Sequence, residues 1–349
     1  MSTLAVDVKM STQGQKPVAE LPLLPQTNGR AGMFAGVSNG RLFCMAGADF
    51  PAGLPWEGGK KKWYADIFML QEDSSGWVKI DQQLPQPLGY GISLTYKNKI
   101  FVIGGNNESG HSAGVFSLEW KGNALAMIEL SPLPHAIANM SGAIVGQLLV
   151  IVGGMIDPAS RPLKTGYMLD LERPDTEWTE MPEWPGPERV LPVCGAYSGK
   201  LYMFSGENTV VNAAGIRQRH ILQDGYSFSP EYTDGRWTGV WTRLADIPKG
   251  MSAGPNPAPL INQRFFRLWG GVDRVVGLHK NPESHPGIPG TVLNYYPDTD
   301  SWELDVSSRY GAGRVTLPTV VFNDYTYYVS GETGPGKRTS KVSGILNKN

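Results

Sequence analysis

The chain has 349 residues, with 31 Lys and Arg against 32 Asp and Glu and a formal net charge of −1 at pH 7. This balance gives no sign of a nucleic-acid or membrane partner, and no run of about eighteen apolar residues predicts a membrane span. Two cysteines, Cys44 and Cys194, are too few for a disulfide framework. The 43 glycines, 27 prolines and 18% charged residues predict many short strands joined by tight turns.

The N-terminal segment MSTLAVDVKMSTQGQK has no basic start followed by an apolar run, so it does not resemble a secretory signal. We therefore expect a cytoplasmic protein, or a periplasmic one if a leader has been removed. Residues 1–15 are predicted to form a tail that precedes the folded domain.

A hairpin pattern then recurs six times along the chain. Each instance is an apolar run that ends in a small residue and glycine: RLFCMAG, KIFVIGG, QLLVIVGG, KLYMFSG, RFFRLWGG and DYTYYVSG. The runs end at Gly47, Gly105, Gly154, Gly206, Gly271 and Gly331, at spacings of 58, 49, 52, 65 and 60 residues. A second apolar segment precedes each run across a turn, often Asn-Gly or Ser-Gly, which indicates a hairpin. A third strand is predicted after each glycine.

The predicted fourth strand has its own sequence pattern. Trp77, Trp178 and Trp241 each have an aliphatic residue three places on and a proline seven or eight places on. The sixth repeat stops after its third strand, TSKVSGILN. Its missing strand is found at the other end of the chain, where Val18, Leu21 and Pro25 keep the offsets of three and seven. We therefore predict that an N-terminal strand completes the last repeat.

Four strands per repeat, six repeats and a closing strand predict an all-β fold, a six-bladed kelch-type β-propeller. A pair of β-sandwiches would not explain the match between the two termini. We predict one domain over 16–349, with blades at about 26–84, 85–134, 135–185, 186–248, 249–309, and 310–349 plus 16–25. Cys44 and Cys194 then belong to opposite blades and cannot pair.

In such a propeller, the residues that follow the repeat glycines share one end of the channel, and two of them are glutamates, Glu207 and Glu332. Arg338 and Lys337 follow Glu332 across a Gly-Pro-Gly loop. Basic loops at this end, with Arg30, Arg189 and Arg314 between blades, predict attraction of a small anion. The residues alone leave two interpretations open, a surface ion pair or a catalytic acid/base beside a carboxylate binder.

Other chemistries lack their residues. The five histidines are not placed at metal-ligand spacing, so no metal site is predicted. There is no Ser or Cys nucleophile motif, no phosphate-binding loop and no dinucleotide fingerprint. The Tyr/Cys/His set of copper-radical oxidases built on kelch propellers is not found either. Acid/base chemistry without a cofactor remains.

The segment SGETGPGKRT resembles the catalytic segment of the N-acetylneuraminate (sialic acid) mutarotases, also called epimerases, which are six-bladed kelch propellers. That segment has Asn-Gly-Glu after an apolar strand, a short Pro-Gly loop, and Arg six residues after the Glu; here Ser330 replaces the Asn. AGMFAGVSNGRLFCMAGADF and GYGISLTYKNKIFVIGG resemble the fifth and sixth blades of the family. WPGPERVLPVCGAYSGKLYMFSG resembles its second blade, and PKGMSAG precedes a blade similar to its third. The order is that of a circularly permuted member.

The resemblance implies roles for the candidate residues. Glu332 would shuttle protons at the anomeric centre of an acidic sugar, and Arg338 would hold Glu332 ionised and bind the substrate carboxylate or a developing oxyanion. Further substrate contacts would come from Arg189, which matches a basic residue of the family, and from Arg30, Arg314, Lys337 and Glu207.

Two other functions stay open at this stage. The basic face could bind an acidic protein segment, as in a kelch interaction module, or the site could hydrate an anhydro or didehydro sialic acid. A closed ring leaves few strand edges, so we expect a monomer or a loose homodimer.

Overall fold

The computed structural model describes residues 9–11, 18–173, 177–211, 217–306 and 310–347. These residues fold almost entirely into strands, together with one 3-10 turn at Pro55–Glu57 and one short helix at Arg274–Gly277. No helix within these ranges is long and apolar enough to cross a membrane. The all-β class predicted from the sequence is confirmed.

The described strands form six antiparallel blades, each a four-stranded meander with its first strand at the channel. Blade one has Phe34–Ser38, Arg41–Met45, Asp66–Leu70 and Trp77–Gln83; blade two has Ile92–Tyr96, Lys99–Ile103, Val115–Trp120 and Leu125–Glu129; blade three has Ser141–Val145, Leu148–Val152, Gly166–Asp170 and Thr179–Glu180. Blade four has Val193–Tyr197, Lys200–Phe204, Gly225–Thr233 and Arg236–Leu244; blade five has Leu260–Ile261, Phe265–Trp269, Val292–Tyr296 and Ser301–Asp305; blade six has Thr319–Phe322, Tyr325–Val329, Val342–Leu346 and Val18–Leu21.

The ring closes as predicted. Val18–Leu21 pairs antiparallel with Val342–Leu346, with Leu21 opposite Val342, and it forms the outer strand of blade six. The strand ladder lies within blade six and ties the two ends of the chain together, and the chain continues from Leu21 into blade one.

One segment of the predicted tail has a regular structure. Lys9–Ser11 pairs in parallel with Ser301–Asp305 and adds a fifth strand to the outer edge of blade five. An outer strand exposes unpaired backbone donors and acceptors, so a neighbouring stretch of chain can pair with it without a matching apolar pattern. This explains why the repeat pattern gives no sign of the strand.

Short two-stranded ribbons extend four of the blades at the channel end. They begin at residues that directly follow the repeat glycines, and they are Ala48–Asp49 with Lys62–Trp63, Asn106–Asn107 with Gly110–His111, Glu207–Val211 with Arg217–Ile221, and Glu332–Gly334 with Lys337–Arg338. Both glutamates predicted to lie at this end therefore do so.

A ring of backbone hydrogen bonds around the propeller axis links all six blades at the same end. One residue per blade donates its amide to the carbonyl of its counterpart in the preceding blade, over 2.7–3.0 Å: Gly32, Tyr90, Asn139, Leu191, Ala253 and Thr316. All six have a positive φ, between 51 and 63°. Since this conformation is costly for residues other than glycine, the ring must be held by the packing of all six blades around it.

The repeat glycines form a second set of links between blades. Each donates its amide to a residue of the next blade over 2.8–3.4 Å: Leu88, Ile137, Arg189, Met251, Arg314 and Arg30. At Gly206 and Gly331 φ is 89 and 97°, and a Cβ atom would lie 2.7 and 2.9 Å from a carbonyl oxygen of the same blade. The pattern that revealed the repeats thus reflects close backbone contacts between blades.

The apolar core lies between neighbouring blades. In one cluster, Phe34, Phe43 and Met45 of blade one pack with Ile100 and Val102 of blade two. Cys44 and Cys194 are buried, free, and in different core clusters, as their predicted positions in opposite blades require.

Candidate active site

The ribbon of blade six places Glu332 directly opposite Arg338. Between them the chain reverses through Gly-Pro-Gly, and Gly336 has a φ of 64°, which glycine adopts readily. The backbone of Glu332 is also fixed from the other side, because it exchanges hydrogen bonds of 2.9 and 3.0 Å with Val315. The spacing seen in the sequence therefore corresponds to a cross-strand pair.

The two side chains form an ion pair, with Nη2 of Arg338 at 2.6 Å from Oε2 of Glu332. Arg338 is almost fully buried, with 2% of its side chain exposed, whereas Glu332 keeps 23% exposed. Nη1 of Arg338 donates to the carbonyl of Gly336 over 2.7 Å, and its Cζ lies 4.6 Å from the ring centroid of Phe50. Arg338 is thus a fixed cation, and Glu332 is the member of the pair that solvent can reach.

Burial raises the pKa of Glu332 above its ordinary value, while the charges of Arg338 and Lys61 act in the opposite direction. Desolvation disfavours the ionised carboxylate, and the two cations favour it. A raised pKa makes this partly exposed carboxyl group a stronger proton acceptor than an ordinary glutamate, which is a property of acid/base groups.

Aromatic rings surround Lys61, the second cation that acts on the pKa of Glu332. Nζ of Lys61 lies 4.6, 5.5 and 5.8 Å from the ring centroids of Tyr90, Trp63 and Phe50. Flat rings of this kind offer a surface for the apolar face of a sugar. These aromatic residues were missed in the sequence because they lie outside the four repeating strands of the blades, where no period marks them.

A cleft of about 390 Å³ adjoins the ribbon and is lined by Lys337, Arg338, Asp49 and Phe50, among others. Lys337 is exposed, and its role as a ligand contact stays a prediction. Glu332 does not line this cleft, but it contacts Arg338, which does. The volume is within the range of small-molecule sites.

Arg30 and Arg189 do not face the site. They are 4% and 0% exposed, and each forms a two-pronged ion pair inside its own blade, Arg30 with Asp66 and Arg189 with Asp224. The closest contact of the second pair is 2.6 Å, between Nη2 and Oδ2. We assign both arginines to the packing of the blades and leave them out of the proposed site.

Arg314 occupies the equivalent place in blade six and is 3% exposed. Its Nη1 donates to the carbonyls of Ser330 and Lys341 over 3.1 and 2.9 Å. The burial of all three arginines could have been predicted from the sequence. Each arginine precedes a repeat glycine by 17 residues, and the apolar Leu88 and Ile137 have the same spacing in their repeats. A position shared with apolar residues in other repeats indicates burial.

Glu207 begins the ribbon of blade four and is paired with Arg219, whose Nε donates to Oε2 over 2.7 Å. Oγ of Ser252, in blade five, donates to the same oxygen over 2.6 Å. The carboxylate is 15% exposed. It is therefore held by two donors and is less accessible than Glu332.

The part of the chain that the structure describes contains no group of three or more His, Cys, Asp or Glu that could hold a metal ion. The site consists of one reachable carboxyl group, a buried arginine, lysines and aromatic rings. Fold and site together define a six-bladed propeller with a partly exposed ion pair, Glu332 with Arg338, at the channel end of its last blade.

Comparisons with known proteins agree with this class. The family model described as N-acetylneuraminate epimerase matches residues 5–127. The N-acetylneuraminate epimerase of Haemophilus influenzae strain PittEE is 31% identical over 236 residues, which cover 60% of this chain and 57% of that protein. The enzyme of the same name from Pasteurella multocida strain Pm70 is 29% identical over 233 residues, with coverage of 59% and 56%.

The aligned regions thus span little more than half the length of these curated relatives. The solved structure of YjhT superposes with a TM-score of 0.64 and 17% identity, and it covers 93% of this chain and 97% of that one. The predicted propeller fold and the predicted resemblance to N-acetylneuraminate epimerases are both confirmed.

Proposed function

We propose that this protein is a cofactor-independent mutarotase of N-acetylneuraminate or a closely related acidic sugar. The observation that carries the proposal is Glu332, an accessible carboxyl group whose pKa is raised by burial and which a buried arginine holds at 2.6 Å. The similarity to proteins named N-acetylneuraminate epimerase supports the choice of substrate.

The chemistry follows from the substrate. A sialic acid is a 2-keto acid closed as a cyclic hemiketal, and its two anomers interconvert through the open ketone. Glu332 takes the proton of the anomeric hydroxyl as a proton is delivered to the ring oxygen, and the bond between that oxygen and the anomeric carbon breaks. Closure on the other face of the ketone reverses these transfers. No atom or electron is gained or lost, so no cofactor is required.

One carboxyl group can serve both directions when a water molecule relays the second proton. The raised pKa makes the carboxylate of Glu332 a stronger base than that of an ordinary glutamate. Arg338 counters the effect of burial and keeps enough of the carboxylate ionised to accept a proton.

The cations divide into two groups by exposure. We assign Arg338, which is buried, to holding Glu332, and we expect Lys337 and Lys61 to contact the substrate carboxylate because a ligand can reach them. Tyr90, Trp63 and Phe50 would then pack against the carbon face of the sugar.

We also infer that the blades are permuted relative to the family. The family model matches only 5–127, which contains blades one and two. The alignments with the curated relatives extend over 60% and 59% of the chain and also stop short of the full ring. An incomplete linear match supports permutation, because an alignment cannot continue across a changed chain order. Such a change is compatible with a closed ring, in which chain ends can open at another blade. We expect the protein to act in the cytoplasm as a monomer or loose homodimer.

The test is NMR exchange between the anomers of free N-acetylneuraminate, measured by saturation transfer with and without protein. We expect the native protein to accelerate exchange, Glu332→Gln to lose about 10²–10⁴ of that acceleration, and Glu207→Gln, the matched change in blade four, to retain it. Absence of acceleration by the folded native protein would overturn the proposal.

The same samples separate the other functions. Hydration of an anhydro or didehydro sialic acid, with no effect on anomer exchange, would favour the hydratase. No reaction with either sugar, together with binding of an acidic peptide, would favour the interaction module.

A further inference from the structure

Three arginines occupy one equivalent position in blades one, four and six. Arg30, Arg189 and Arg314 each precede the repeat glycine by 17 residues. Each donates from Nη1 to the carbonyl of the residue just before that glycine, over 3.0, 2.8 and 3.1 Å. The buried guanidinium groups therefore have the same position and the same first contact in all three blades.

The second contact differs. In blades one and four the guanidinium meets an aspartate that immediately precedes or begins the third strand, Asp66 or Asp224. In blade six this position is occupied by Lys341. The backbone hydrogen bonds show the equivalence: in each of the three blades, the residue before the repeat glycine donates its amide to the carbonyl oxygen of Asp66, Asp224 or Lys341, over 2.8–2.9 Å. The side chain of Lys341 is exposed, so Arg314 lacks the acid that its counterparts have.

Two buried donors remain without an acceptor at this place. Among the described residues, Nη2 of Arg314 and Nε1 of Trp269 have no hydrogen-bond partner. Both residues are 3% exposed, and Cζ of Arg314 lies 5.1 Å from the ring centroid of Trp269. Buried polar atoms in folded proteins are nearly always paired, so two orphan donors in contact indicate an acceptor.

The charge around Arg314 gives the same indication. Burial lowers the pKa of Arg314 to about 10, and the carboxylate of Glu20 opposes this shift without reversing it. Oε2 of Glu20 accepts from Oγ of Ser343. A buried cation without a hydrogen-bonded counterion is costly.

We propose that a small monovalent anion, with chloride as the probe, binds at Arg314 between blades five and six in place of the aspartate of blades one and four. The anion would accept a hydrogen bond from Nη2 of Arg314, with Nε1 of the adjacent Trp269 as the second donor, and would neutralise the guanidinium. A water molecule could satisfy the donors but would leave the charge uncompensated. The site is separate from the proposed sugar site and does not depend on it.

The first experiment is thermal unfolding in chloride and in gluconate at constant ionic strength. We expect chloride to raise the Tm of the native protein in a saturable way, by about 2 °C or more. Arg314→Met should lose this dependence. Arg189→Met, the matched change in blade four, should unfold at a lower temperature but keep the dependence.

A third variant supplies the missing acid. Lys341→Asp restores the residue type of blades one and four at an exposed position, so it should fold, unfold at a higher temperature than the native protein in gluconate, and no longer respond to chloride. A Tm of the native protein that is independent of chloride would overturn the proposal, as would a full chloride response in folded Lys341→Asp.

A direct measurement uses the line width of the ³⁵Cl NMR signal. The native protein should broaden the line, and bromide should compete for the site and reduce the broadening. In Lys341→Asp, the broadening that bromide can reverse should be absent. If bromide reverses the same amount of broadening in Lys341→Asp as in the native protein, the bound chloride lies elsewhere and the proposal is contradicted.

Discussion

Blades four and six begin their channel-end ribbons with the same residues, Ser-Gly-Glu, yet the two glutamates have different surroundings. In blade four, Oε2 of Glu207 accepts from Nε of Arg219 and from Oγ of Ser252. In blade six, Glu332 pairs with Arg338. The next blade supplies Ala31 where blade five supplies Ser252, so Glu332 gains no hydroxyl donor from that position.

The same two blades differ again beneath the ribbons. Arg189 is neutralised by Asp224, whereas Arg314 has Lys341 at the corresponding position. Blade four thus satisfies its charges internally, and blade six leaves both a carboxyl group and a guanidinium incompletely paired. We therefore propose that the same repeat motif gives a scaffold in blade four and a site that reacts or binds in blade six.

The largest effect is expected where the two ribbons are changed in parallel. Arg338→Met should reduce anomer exchange by about 10²-fold or more, because Glu332 loses the cation that favours its ionised form. Arg219→Met, the matched change in blade four, should leave the rate within about threefold of the native value, since the proposed reaction does not use Glu207. Equal losses in both variants, measured by NMR exchange on folded protein, would remove the distinction between the blades.

The next comparison concerns stability. Arg189→Met leaves Asp224 buried without its partner and should lower the free energy of unfolding by about 3–5 kcal/mol. Arg314→Met breaks no acid pair and loses hydrogen bonds to two carbonyls, so it should cost only about 1–2 kcal/mol. Urea denaturation measures both, and similar losses would show that Arg314 has a counterion within the protein.

The pH dependence of the rate tests the surroundings of Glu332. Proton abstraction needs the carboxylate, so kcat/KM should fall as the pH drops through the pKa of Glu332, and burial places this limb above the ordinary value of about 4.3. Lys61→Met removes a charge that lowers this pKa, so the limb should move to higher pH, by less than about one pH unit. Lys62→Met is the control. An unmoved limb in Lys61→Met, or an equal shift in the control, would contradict this electrostatic role.

The smallest effect is expected at Ser252. Ser252→Ala removes one hydrogen bond to Glu207 and should lower the free energy of unfolding by about 1 kcal/mol without changing the rate of anomer exchange. A loss of rate in this variant would show that Glu207 has a part in the reaction after all.

Much of the fold could be predicted from the sequence because the repeat is local. The run before each glycine, the turn before each run and the match between Val18–Leu21 and the missing strand all reflect contacts that recur with a fixed spacing. The pair of Glu332 and Arg338 was found for the same reason, since a six-residue reversal brings the two ends of one ribbon together.

The direction in which the three arginines point was not predicted from the sequence. Arg30, Arg189 and Arg314 are chemically equal in the sequence, and a cation between blades can face either the channel or the interior. Packing decides, because the position they share with Leu88 and Ile137 points into the blade.

The sequence by itself therefore determined the number of blades, the closure of the ring and the pairing of Glu332 with Arg338, because each depends on residues at short or repeated spacing. The tertiary structure decided which charges are satisfied. Ser252 reaches Glu207 from another blade, Lys61 and Phe50 approach Glu332 and Arg338 across the gap between the last blade and the first, and Arg314 meets Trp269 of blade five. These contacts join residues far apart in the chain, and their energies depend on burial, which local patterns do not record.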